Sequence, residues 1–147
     1  MQKEEYIQNL LKEFLRLNPG LTISDIRKNS YLSHSVIWHH LEILASRGEC
    51  LRIERGDTDV YHLNNVIDNL SEFGIADDHS DYHFSYNFDL VENPFGRFLR
   101  IQRLRESRSR ANTTRGGVIV PYHLIGTIAN ILVKVKENHL NEEKNKG

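Results

Sequence analysis

The chain of 147 residues contains one cysteine, one methionine, one tryptophan and three prolines. A lone cysteine, Cys50, excludes an intramolecular disulfide framework and any multi-cysteine zinc knuckle. No apolar run approaches the roughly 18–20 residues that span a bilayer. The N-terminus, Met1-Gln2-Lys3-Glu4-Glu5, lacks the layout of a secretion signal. The expectation is an intracellular, cytoplasmic protein with no membrane partner. A Walker loop, a nucleophile elbow and paired carboxylates on one ordered element are also missing, so no enzyme is expected.

What is present is an ordinary globular balance, 39% apolar and 27% charged, which argues against wholesale disorder. The net charge of −1 hides a strong segregation. Residues 65–93 carry seven acids and no Lys or Arg, whereas residues 94–147 carry 11 basic and 4 acidic residues. A near-neutral whole argues against indiscriminate coating of nucleic acid. Local fields still act, because screening confines charges to a reach of about 8–10 Å.

In the N-terminal half, Tyr6, Ile7, Leu10, Leu11, Phe14 and Leu17 fall on one stripe and predict an amphipathic helix over 3–17. Asn18-Pro19-Gly20 ends it. A short helix follows, capped by Thr22 or Ser24, with Ile23 and Ile26 inward. Ser33 caps a third helix running to about Arg47, with Val36, Ile37, His40, Leu41 and Leu44 buried and Gly48 as its stop. Glu49–Glu54 and Asp59–Leu63 read as two strands joined by the turn Arg55-Gly56-Asp57-Thr58.

The pattern Val36, His40, Leu41, Leu44, Gly48, followed by a hairpin ending Val60-Tyr61-His62-Leu63, resembles the ArsR/MarR-like winged-helix regulators over roughly residues 3–64. The resemblance implies a winged helix-turn-helix domain at 1–64 that binds duplex DNA. Its third helix would enter the major groove with its N-terminal residues leading. Ser33, His34, Ser35, Trp38 and His39 lie off the buried stripe and become the candidate DNA contacts, with Arg52 and Arg55 of the wing near phosphates. That helix has no Lys or Arg before Arg47. His34, His39, His40, Cys50 and His62 also raise a metal-sensing reading. His39 and His40 are adjacent and point in different directions, and Cys50 has no partner cysteine, so no metal and no cofactor is expected.

Residues 65–81 read as an acidic, solvated linker, with Val66, Ile67, Leu70 and Phe73 able to form a helical turn or two. Beyond it, Tyr82, Phe84, Tyr86, Phe88 and Leu90 alternate along one face of a strand. Asn93-Pro94-Phe95-Gly96 is a turn, and Arg97–Arg105 is a second strand with Leu99 and Ile101 on one face and Phe98, Arg100 and Gln102 on the other. Val118-Ile119-Val120 is a third strand. Pro121 opens a helix with Leu124, Ile125, Ile128, Ile131, Leu132 and Val135 on its stripe, and 141–147 is a frayed tail.

Tyr86-Asn87-Phe88-Asp89-Leu90-Val91-Glu92-Asn93 followed by Phe95-Gly96-Arg97-Phe98-Leu99-Arg100-Ile101 resembles the repeat of the PUR family, with the broader outline of the Whirly single-strand binders. The resemblance implies a domain at 82–147 built as an antiparallel sheet backed by one helix, binding single-stranded DNA or RNA. Seven arginines stand between 97 and 115, and guanidinium groups both fork onto phosphates and stack on bases. Arg97, Arg100, Arg103, Arg105, Arg108, Arg110 and Arg115 are the candidate contacts. Phe95 and Phe98 are the candidate stacking rings, because Phe84, Tyr86 and Phe88 are expected partly to form core against the helix.

The expected class is therefore α+β, and the expected role is a DNA-binding transcription regulator. The alternatives are a protein-interaction or dimerisation adaptor and a ligand- or metal-responsive repressor. A homodimer is expected, since one such repeat leaves a sheet edge and a helix uncovered.

Overall fold

The computed structural model describes residues 3–77, 83–105 and 113–146. Its first helix, α1 (Lys3–Leu17), buries Ile7, Leu11 and Leu15, an i, i+4, i+8 line. This line is rotated from the expected stripe, and Tyr6 and Leu17 are left about 60% exposed. The cause is the pair of partners, because α1 packs against both α3 and β2, which leaves Leu10 and Phe14 half-buried.

The short α2 (Ile23–Lys28) is fixed by a reciprocal capping box. The Thr22 hydroxyl accepts from the Asp25 backbone N–H, and the Asp25 carboxylate accepts from that of Thr22, each at 3.1 Å. Ser33 caps α3 (His34–Ser46) by accepting from the Val36 N–H at 3.3 Å. Ile37, Leu41 and Leu44 of α3 join Ile26, Cys50 and Tyr61 in one apolar core, and His40 of the same helix is also buried. Strands β1 (Cys50–Arg55) and β2 (Thr58–Leu63) form an antiparallel hairpin. Gly56 turns it at φ +61°.

Residues 65–77 of the segment expected as a linker instead belong to the second sheet, and 78–81 lie outside the described residues. β3 (Asn65–Asn69) and β4 (Ile75–Asp77) both pair antiparallel with β5 (Phe84–Asn93), end to end along the same edge. A 3-10 turn at Ser71–Phe73 joins them. The acidic character misled the reading: Val66, Ile67 and Ile75 supply strand residues between the carboxylates. β6 (Gly96–Arg105) and β7 (Thr113–Pro121) complete the order β3/β4–β5–β6–β7. A bulge between Arg103 and Leu104 pairs them with Gly116 and Thr114 and leaves Arg115 as the extra residue.

The two faces of this sheet are occupied in the reverse of the expected sense. Every buried residue of β5 and β6 lies on the polar face: Asp89, Val91, Asn93, Arg100 and Gln102. The aromatic face, with Phe84, Tyr86, Phe88, Leu90, Leu99 and Ile101, is half-open throughout. The helix does not back it. After a 3-10 turn at Tyr122–Leu124, α4 (Ile125–Lys146) continues through the segment expected to fray. All its side chains from Ala129 to Leu140 are exposed.

The polar face is covered by the C-terminal end of α3. A helix end leaves carbonyls without partners, and the sheet supplies donors to them. Gln102 Nε2 donates to the Arg47 carbonyl at 2.8 Å. Asn64 Nδ2 donates to the Gly48 carbonyl, and Asn93 Nδ2 donates to Asn64 Oδ1, both at 2.9 Å. Asn93 Oδ1 in turn accepts from the Phe95 backbone N–H at 2.8 Å. Two glycines permit the approach: Gly48 turns the chain at φ +75° beneath the Arg100 side chain, and Gly117 lies directly against the Arg47 carbonyl. The class is α+β. Among the described residues, no helix is long and apolar enough to cross a membrane.

Candidate nucleic-acid interface

The first candidate surface is the N-terminal half of α3 with the hairpin. Ser33, His34, Ser35, Trp38 and His39 are all exposed, because Ile37, His40 and Leu41 take the inward positions. Trp38 is 49% exposed, so its indole has no core role. A shallow cleft of about 330 Å³ separates the start of α2 and α3 from the hairpin. His34 and Trp38 line it on one side, Thr22 and Ser24 below, and Glu54, Asp57 and Asp59 on the other.

The charges of this surface are more balanced than the sequence reading implied. Arg52 does not stand free for a phosphate. Its guanidinium bonds Glu42 Oε1 at 2.9 Å and reaches Glu54 and Asp59 at 4.0 Å, and the Glu42 charge holds its pKa above the ordinary arginine value. Arg55 remains exposed at the hairpin tip. Arg27 and Lys28, which end α2 just before the turn into α3, are also exposed. They were not singled out from sequence, although their place beside the α2–α3 turn was a readable signal.

The histidines divide by burial. His34 and His39 are exposed, and His39 meets His40 edge-to-face at 5.1 Å between centroids. His40 and His62 are buried, and desolvation lowers both pKa values from 6.5. The Cys50 thiol lies in the core, where burial pushes its pKa up to about 12 and keeps it protonated. Among the described residues, no group of three or more His, Cys, Asp or Glu is placed to hold a metal ion.

The second candidate surface, on the sheet, loses members to the fold. Arg100 is buried, and its Nη2 donates to Asp89 Oδ2 at 2.8 Å. It sits on the polar face against Gly48, so it is a structural residue at the junction and offers no contact to a ligand. Phe98 shares that inward face, paired with the fully buried Val91 and half-buried itself, so it is no stacking platform. Phe95 is 55% exposed and meets His62 edge-to-face at 5.7 Å. Arg97 is exposed beside Glu92, 3.4 Å away. Arg103 stacks its guanidinium 4.5 Å over the Phe84 ring. Arg103, Arg105 and Arg115 are exposed. Arg108 and Arg110 lie outside the described residues.

The two surfaces do not merge. The sheet docks on the C-terminal end of α3, and the exposed Ser33, His34, Ser35, Trp38 and His39 lie on its N-terminal half, about 10–20 Å away along a 13-residue helix. The residues that join them, Gly48, Asn64, Asn93, Gln102 and Gly117, were missed as a group from sequence. Their only signal was amide side chains at strand positions and a glycine pair at the start of a strand.

Comparison with protein-family models, with curated proteins and with solved structures finds no match.

Proposed function

We propose that the protein binds duplex DNA through the exposed N-terminal half of α3 and acts as a transcription regulator of the winged-helix kind. The observation that carries this reading is the set Ser33, His34, Ser35, Trp38 and His39. It is wholly exposed on a helix whose opposite side is core, beside a β-hairpin placed as a wing. Hydroxyl, imidazole and indole groups at a capped helix N-terminus suit base edges and a phosphate. With Arg52 engaged, the flanking cations are Arg27, Lys28 and Arg55. About three phosphate contacts give a log–log salt slope of roughly −2 to −3.

Contact with single-stranded DNA or RNA is the second part of the proposal, and it is supported by Arg103 stacked over Phe84 with Arg97, Arg105 and Arg115 exposed. A different reading, a protein-interaction adaptor, is favoured by one observation: Glu54, Asp57 and Asp59 line the cleft beside Trp38.

The test is competition binding with duplex DNA, single-stranded DNA and RNA at several salt concentrations, on the native chain and on Ser35→Glu. A carboxylate in the first turn of a helix favours that helix, so this variant keeps its fold. It is expected to lose duplex binding and to keep any single-strand binding. Undiminished duplex binding by Ser35→Glu, or no binding to any nucleic acid by the native chain, overturns the duplex reading, and the second outcome favours the adaptor.

A further inference from the structure

The second sheet has two edges of different character. One is formed by β3 and β4, two short strands set end to end, and short edge strands are poor templates for further pairing. The other is β7, nine residues that pair with β6 on one side and, among the described residues, with no strand on the other. Such an edge presents a row of N–H and C=O groups over about 30 Å. Pro121 closes it at one end, where a missing N–H stops pairing. The bulge at Arg115 disturbs the other end, and residues 116–120 form a regular stretch between the two.

We infer that β7 is a docking edge for an extended acidic segment of a partner protein, which adds to the sheet as a further antiparallel strand. Main-chain hydrogen bonds supply affinity in this mode, and side chains at alternate positions supply selectivity. Charge selects the occupant. β6 and β7 together carry five arginines and no Asp or Glu. Arg100 is committed to Asp89 inside the fold, whereas Arg97, Arg103, Arg105 and Arg115 are exposed. Arg115 stands on the edge strand itself, as the extra residue of the bulge. A carboxylate opposite it on the added strand makes a favourable cross-strand pair. Further along the strand Val118 is 54% exposed and takes an apolar neighbour. Beside Gly116, between the two, nothing lies within 4 Å of where a Cβ would stand, so a side chain of the added strand has room there.

The same charge disfavours a second copy at this edge. Two β7 strands paired antiparallel would bring Arg115 of each copy towards the end of the sheet that carries Arg97 of the other, and like charges across a strand pair are destabilising. A nucleic acid can meet the guanidinium groups but has no peptide backbone to complete a strand. The docking edge involves none of Ser33, His34, Ser35, Trp38 and His39, so it goes beyond the duplex reading and stands independently of it. It draws on Arg103 and Arg115, which the single-strand reading also uses, and the two readings part at the backbone of β7.

The test uses the full chain and a capped synthetic peptide, Val-Thr-Val-Thr-Glu-Thr-Glu, followed by fluorescence anisotropy and by amide hydrogen exchange in NMR spectra. In the chain alone, the alternate amides of β7 that face away from β6 are expected to exchange freely. The peptide is expected to bind and to slow their exchange about tenfold or more. Replacing its Glu residues by Lys is expected to weaken binding roughly tenfold. N-methylation of one set of alternate peptide amides is expected to abolish binding and of the other set to spare it, because an added strand bonds through one edge only and every charge is kept. Val118→Glu is expected to weaken binding as well; the position is exposed, and a native urea midpoint confirms that the variant is folded. Protection of the outward β7 amides in the chain alone means that the edge is already taken. Equal binding of both N-methylated peptides means a contact of charge only. Binding of mixed-sequence single-stranded DNA without binding of the peptide at millimolar concentration assigns the arginines to nucleic acid. Each of these three results, or a peptide that binds neither more weakly to Val118→Glu nor with protection of β7, overturns the inference.

Discussion

Substitution of Gly117 by alanine tests how the sheet is joined to the helical unit. A Cβ at this position would lie 2.1 Å from the Arg47 carbonyl oxygen and 2.6 Å from its carbon, against 3.4–4 Å for ordinary contact. Both atoms are backbone, so β7 and the end of α3 must separate by more than an ångström. The same carbonyl accepts the Gln102 amide at 2.8 Å, and that separation breaks the bond. Overpacking of this kind costs about 1–3 kcal/mol, and a lost hydrogen bond adds about 0.5–1.5 kcal/mol. The expected destabilisation is thus about 2–4 kcal/mol. With a urea m-value near 2 kcal/mol/M, the midpoint falls by roughly 1–2 M. Gly116→Ala is the matched control, because a Cβ there meets nothing within 4 Å. It is expected to stay within about 0.5 kcal/mol of the native chain. In the Gly117→Ala background, Gln102→Ala is expected to add little, because both changes break the same contact. Equal midpoints for the two glycine variants would refute the junction as described.

Arg100→Ala is expected to act on stability and not on binding. It leaves the buried Asp89 carboxylate without its partner, which costs about 3–5 kcal/mol; a folded variant with native stability and weakened single-strand affinity would reinstate Arg100 as a ligand contact. Acid should destabilise the helical unit through His40 and His62. Burial depresses both pKa values below 6.5, so the folded state holds these rings neutral while the unfolded chain protonates them. Their contribution is complete above about pH 7 and declines as pH falls below 6.5 toward the folded values, with a limiting slope of about 1.4 kcal/mol per pH unit for each proton. Urea midpoints measured from pH 7.5 down to 5.5, roughly one unit either side of the ordinary histidine value, should fall in the native chain and fall less in His62→Gln.

How much was legible in the sequence follows from how local each determinant is. The capping residues Thr22 and Ser33, the apolar spacing of α3 and the stop at Gly48 act within a few residues, so the helices and the hairpin were readable, as was exposure of Ser33, His34, Ser35, Trp38 and His39. Period-two alternation likewise identified β5 and β6. The sequence could not say which face of those strands would be buried. Alternation marks two faces, and hydrophobicity favoured the aromatic one. The choice went the other way because the end of α3 presents carbonyls that need donors, and Gln102 and the Asn93–Asn64 pair meet them. That meeting joins residues up to 55 positions apart, beyond any local pattern. It turned Arg100 and Phe98 from candidate contacts into residues of the inward face, while backbone pairing with β5 makes strands of Asn65–Asn69 and Ile75–Asp77. Among the described residues, it also left the aromatic face half-exposed and α4 exposed from Ala129 to Leu140. Chemistry written along a helix or strand is set by neighbours in sequence, whereas the assignment of a sheet face to core or to solvent is set by whatever packs against it.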